Sequence, residues 1–202
     1  MAPLPSVEGA VDCGGQEAME MVWRRSTSLR TFKLPAGEER GPAGDADGGV
    51  FVVLHTEWHG SYLQPVVEAI IESLREAGAR YEVFSVPGAS DLITAARLAL
   101  RRSPRAVICT ALLLPGQSDG YKSMCTTVSQ GLMRLNANQD VPVISGVLMC
   151  RDEAQALERT HGTENPGSAL AKAALYMSKV ADCAAALADF GLDKEDCTLA
   201  GA

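Results

Sequence analysis

The sequence predicts an α/β domain, a parallel sheet covered by helices on both faces. Two observations predict it. From Val50 onward short apolar runs alternate with longer stretches of helical periodicity, the pattern of consecutive βαβ units. Two of the strand-to-helix passages also fall close together and carry turn chemistry, Pro87-Gly88 before one helix and Gly116-Gln117-Ser118 before another. In a parallel sheet such passages sit at the carboxyl ends of the strands, where a ligand crevice forms.

Element by element, Val50 to His55 reads as the first strand, a continuous apolar run. A loop, Thr56 to Ser61, leads to a helix from about Leu63 to Ala77, with Val66, Val67, Ile70, Ile71 and Leu74 on one face and Gly78 as the stop. Arg80 to Val86 is the second strand, Asp91 to Arg101 a helix, and Ala106 to Leu114 the third strand. Tyr121 to Leu135 reads as a helix, Val141 to Leu148 as the fourth strand and Asp152 to Glu158 as a short helix. After a loop, Arg159 to Gly167, a long helix spans Ser168 to Phe190, with Leu170, Ala173, Ala174, Met177, Val180, Ala181, Ala184 and Leu187 expected to form its buried face.

Residues 1–49 differ: Gly, Pro and charge are frequent and apolar periodicity is absent. They are expected to form a flexible or partner-clasping extension to a domain covering residues 50–202. Trp23 to Leu34 is basic and bears Ser and Thr, as an organelle presequence can, but Glu8, Asp12, Glu17 and Glu20 precede it and oppose that reading.

Composition narrows the function classes. A hydrophobic share of 47% and a net charge of −7 fit a soluble globular protein and exclude a basic nucleic-acid surface. An anionic ligand would need local positive charge or helix N-termini rather than the overall field. Six cysteines without CxxC spacing read as reduced thiols of an intracellular protein, and His55, His59 and His161 make no zinc cluster, so no metal is expected. The longest apolar run, Ala106 to Leu114, is far short of a membrane span.

The stretch from Val86, VPGASDLITAARLALRRSPRAVICTALLLPGQSDGYKS, carries a resemblance. Lumazine synthases read V-P-G-A-F-E-I-P, an alanine-rich helix, then a strand ending in R-G-x-T-x-H-F-D-Y-V, and the likeness extends from about Val50 to about Val180. The resemblance implies a three-layer α/β/α fold with a four-stranded parallel sheet in flavodoxin-like order 2-1-3-4. It also implies a cofactor-free condensation of 5-amino-6-(D-ribitylamino)uracil with 3,4-dihydroxy-2-butanone 4-phosphate, small-molecule substrates, and homo-oligomers: pentamers or sixty-subunit shells. Neither nucleic acid nor membrane is an expected partner, and the compartment is expected to be the cytoplasm, with the plastid as alternative. A segment before the first strand adds to a neighbour's sheet in that family, a role open to Arg30 to Leu34.

Carried over by position, Trp58 would stack on the pyrimidinedione; its alternative is a loop indole closing the core or an interface. Ala89, Ser90 and Asp91 stand where the family has A-F-E, which holds the ribityl hydroxyls, and Asp91 also reads as a helix-capping carboxylate. Gly116, Gln117 and Ser118 match the phosphate-holding loop, and Arg159 matches the arginine of A-I-E-R-A-G, with a surface pair to Glu158 as the alternative. Besides Asp91 for Glu and a loop one residue shorter after Arg159, the sequence departs from the family elsewhere. His59 replaces an Asn, both lysines of G-T-K-A-G-N-K-G are missing after Arg159, and Gly120 stands at the position of the proton-transferring histidine. Asp119 or His59, with His161 a third option, would have to carry the proton. The readings in competition are therefore a synthase of reduced efficiency, a silent paralogue acting as scaffold or lumazine/flavin binder, and the archaeal riboflavin synthase of the same fold.

Overall fold

The computed structural model describes residues 49–117 and 119–189. Residues 1–48 lie outside the described residues, and with them the expected strand addition by Arg30 to Leu34 and the presequence reading. Among the described residues four strands form, β1 (Phe51–Thr56), β2 (Tyr81–Val86), β3 (Ala106–Leu113) and β4 (Val143–Met149), and five helices, α1 (Gly60–Glu76), α2 (Asp91–Leu100), α3 (Gly120–Ala137), α4 (Glu153–His161) and α5 (Gly167–Asp189). All pairings are parallel, in the order β2-β1-β3-β4, as the resemblance implied. Phe51 is the common register mark, opposite Tyr81 on one side and Ala106 on the other.

Alternation along the strands builds two cores. Phe51 and Val53 of β1 with Ile108 and Leu112 of β3 pack under α1, through Leu63, Val66, Val67, Ile70 and Leu74, and under Ala156 of α4 and Ala171 and Ala174 of α5. Val52 and Leu54, with Val107, Cys109 and Ala111, meet Leu92 and Ala96 of α2 and Val128 and Leu132 of α3. Cys109 lies within this second core at 0% exposure, and burial pushes its thiol up to about 12.

The structure corrects three expectations. β4 starts at Val143 rather than Val141, because Pro142 has no N–H to offer a ladder; its carbonyl still accepts from Val107. α4 runs on to His161, so Arg159 lies on a helix rather than in the following loop. Asp152 starts that helix by accepting the Gln155 N–H at 2.8 Å, the bond that also holds its carboxyl below its ordinary range.

The third correction is the rotation of α5. Its buried stripe is Gly167, Ala171, Ala174 and Ser178, whereas Met177 and Val180, expected inside, are 38% and 42% exposed. Ala184 is also exposed, and the Leu187 side chain lies outside the described residues. Apolar residues occupy most of this helix's circumference, so periodicity alone leaves its rotation open; close packing decides it. A Cβ at Gly167 would stand 2.5 Å from the Val66 carbonyl oxygen, and one at Gly146 would stand 2.5 Å from Leu170 Cδ1. The small residues thus face α1 and β4, and Ser168 meets Ser73 of α1 at 3.0 Å.

Candidate functional site at the carboxyl ends of the strands

β1 and β3 are neighbours, yet the helices that follow them leave on opposite faces, α1 over the first core and α3 over the second. That switch sets the β1–α1 turn beside the β3–α3 loop, the place where a sheet of this kind forms its ligand crevice. Of the expected site residues, Trp58 and His59 sit on the first of these segments and Gly116, Gln117 and Asp119 on the second.

The β1–α1 turn is stapled to the end of β2. Glu57 N–H donates to the Val86 carbonyl at 2.8 Å and Trp58 N–H to that of Pro87 at 3.4 Å, while Ser85 Oγ donates to Glu57 Oε1 at 3.0 Å. Thr56 Oγ1 also donates to the Trp58 carbonyl, at 3.1 Å. The indole of Trp58 is 63% exposed and therefore does not close the core. Its Nε1–H donates to His59 Nε2 at 3.0 Å.

His59 has φ 60°, in the left-handed region that Asn and His tolerate better than most residues. Its ring lies edge-on to Tyr62, centroids 6.1 Å apart; Tyr62 stands 6.4 Å from the His161 ring and donates a short hydrogen bond to Glu153. Burial lowers the His59 pKa from its ordinary value, with Glu153 acting the other way. The bond to Glu153 raises that of Tyr62. His55, inside β1, is likewise lowered by burial, against its hydrogen bond to the Thr56 carbonyl.

At the β2–α2 turn Ala89 is buried and Ser90 and Asp91 are exposed. Asp91 Oδ2 accepts the Gly88 N–H at 3.0 Å, so the carboxylate folds back onto the turn, while Ser90 occupies the helix-capping position without a side-chain bond.

The β3–α3 loop contrasts with this. Gly116 and Gln117 are exposed, and Ser118 lies outside the described residues. A Cβ at Gly116 would meet nothing within 4 Å, so packing within the chain does not demand glycine there. Asp119 caps α3 by position but makes no side-chain cap bond, and Gly120 opens the helix with no side chain to offer.

Arg159 lies on α4, beside the end of β4. Its guanidinium lies beside the buried Cys150 thiol, hydrogen-bonds to it and pulls its pKa down against the larger upward effect of burial. Cys150 follows β4; its N–H donates to the Leu113 carbonyl at 3.0 Å and its carbonyl accepts from Tyr121 Oη at 3.1 Å, tying the ends of β3, β4 and α3 together. No ion pair joins Arg159 to Glu158 among the described residues. A shallow recess lined by Arg97, Leu100, Arg101 and Gln139 lies at the last turn of α2, the opposite end of the sheet.

A sequence model for 6,7-dimethyl-8-ribityllumazine synthase matches residues 49–182, most of the chain. The chain belongs to the lumazine synthase family. It is 31% identical over 134 residues to the 6,7-dimethyl-8-ribityllumazine synthase of Leifsonia xyli, covering 65% of this chain and 85% of that one. It is 30% identical over 140 residues to the namesake of Corynebacterium urealyticum, covering 68% and 87%. With that of Cytophaga hutchinsonii it shares 32% over 133 residues, 63% and 84% of the two chains. Within this lumazine synthase fold, the contacts of Tyr62, Glu153, Tyr121 and Cys150 were not foreseen from the sequence. Tyr62 and Glu153 are 91 positions apart, and no local pattern announces their meeting.

Proposed function

We propose that this chain condenses 5-amino-6-(D-ribitylamino)uracil with 3,4-dihydroxy-2-butanone 4-phosphate, at reduced efficiency. The observation that carries the reading is the outward-facing indole of Trp58 on one rim of the switch-point crevice, with Arg159 at the end of the neighbouring strand pair. In this reading Trp58 stacks on the pyrimidinedione, and Ala89, Ser90 and Asp91 line the ribityl chain. The backbone of Gly116, Gln117 and Ser118 together with Arg159 receives the phosphate. The amine attacks the ketone carbon, water leaves to give an imine, inorganic phosphate departs, and the second nitrogen closes the ring with loss of another water. No cofactor or metal is required.

Holding both reactants in register supplies much of the acceleration. Proton transfer falls to Asp119, in the loop that opens α3, with His59 as the other candidate, because Gly120 carries no titratable group. That same glycine favours the second reading, a silent paralogue that binds lumazine or flavin or serves as a scaffold. Phosphate release from the two substrates at high protein concentration separates the readings. A rate equal to buffer alone eliminates the enzyme, and riboflavin quenching of tryptophan emission then tests the binder.

The same reading takes the chain to be a homo-oligomer, a pentamer or a sixty-subunit shell, and the exposed Tyr176, Met177 and Val180 of α5 supply an apolar stripe that suits it. Chromatography with mass detection decides between the sizes. Residues 1–49 are taken as an extension outside this domain, and the cytoplasm, with the plastid as alternative, as its compartment; fusion of residues 1–49 to a fluorescent reporter distinguishes the two.

A further inference from the structure

We infer that His59 is the positioning residue of the Trp58 indole, and that the ring-binding rim they form holds together only while the imidazole is neutral. The inference rests on the reading of Trp58 as the ring-stacking surface. An indole N–H can only donate, so the His59 Nε2 it meets at 3.0 Å must be a bare acceptor, which places the imidazole proton on Nδ1. An imidazolium carries hydrogens on both nitrogens. It would turn donor against donor and release the indole.

His59 is itself well held. Its carbonyl accepts the N–H groups of Tyr62 and Leu63 at 3.0 and 3.2 Å, its backbone is fixed in the left-handed turn, and its ring abuts Tyr62. Tyr62 is in turn anchored across to α4 by Glu153 and faces His161. The titratable groups around His59 are thus Tyr62 on its own helix and Glu153 and His161 from α4, with Glu57 two residues before it in the turn. Glu153 favours the imidazolium, burial disfavours it, and burial is the larger effect, so the imidazole titrates below the ordinary 6.5. The sign follows: the rim is intact at neutral pH and loosens as pH falls through the lowered pKa. With Nε2 committed to the indole, His59 acts through Trp58, which leaves the proton at the reacting atoms to Asp119.

The test uses the full chain carrying Trp23→Phe, so that Trp58 is the sole indole of the two. Acrylamide quenching of Trp58, read from pH 8 to pH 5, should rise along a single titration below 6.5. His59→Asn, which tolerates the left-handed backbone, and His59→Gln, whose longer amide also accepts from the indole, should both abolish that titration. Riboflavin affinity should weaken about two- to tenfold over the same interval, the worth of one hydrogen bond, and stay level in both variants. A titration of Trp58 that persists unchanged in the variants, or none in the parent, overturns the inference. If riboflavin binds at no pH, the ring-binding reading fails by itself, and the ligand-free quenching still decides what His59 does.

Discussion

The two rims of the crevice differ in how firmly the chain holds them. On the β1 side, Glu57 and Trp58 are bound to the end of β2 and Tyr62 to α4, while Thr56 and His59 are bonded to Trp58. On the β3 side, Gly116 and Gln117 are exposed, and Asp119 and Gly120 give α3 no side-chain cap. The contrast is one of support: the turn proposed to bind the ring is tied down at several points, whereas the loop proposed to face the phosphate leads into a helix without a side-chain cap. On the proposed reading, binding and turnover depend on different segments and are separable.

The change that would break this comparison most is Gly120→His. Restoring an imidazole at the opening of α3 should raise phosphate release by about two to four orders of magnitude, measured under saturating substrates; no gain would mean the bare rim does not limit the rate. Next, Arg159→Ala should raise KM for the phosphate-bearing substrate about ten- to a hundredfold, the cost of losing charge-assisted hydrogen bonds, with little change for the pyrimidinedione. Equal loss for both would place Arg159 outside the anion subsite. Tyr62→Phe removes the tie to Glu153 and should lower stability by at most about 1 kcal/mol, read by denaturant melts, while broadening the Trp58 emission. Gly116→Ala should leave stability unchanged, because the space above it is open within the chain, but should slow phosphate release, because the added methyl would stand against the backbone proposed to receive the phosphate. Unchanged phosphate release there would place the phosphate away from that backbone.

Much of the architecture was legible because strands and turns speak locally. The apolar runs from Phe51 and Ala106, the Pro87-Gly88 turn and the stop at Gly78 each encode a conformation in adjacent residues. α5 was legible as a helix but not in its rotation, since alanine on several sides lets close approach at Gly146 and Gly167 choose the buried stripe. The extent of α4 was hidden because its residues are mostly polar, with Ala156 and Thr160 its buried positions, so Arg159 read as loop. Of the candidate site, the positions along the rims were readable, whereas the partners were not. The Trp58–His59 bond depends on a left-handed backbone, and the Tyr62–Glu153 bond on two segments that only the finished sheet brings together.

The thiol at the centre of the sheet has a practical consequence. Since the thiolate is the reactive form, a sulfhydryl held at about 12 is almost entirely protonated at neutral pH and shielded by the layers on either side. Maleimide applied to the native chain should label the exposed Cys183 within minutes and spare Cys109. Delayed modification of Cys109 then becomes a clock for the opening of the sheet itself.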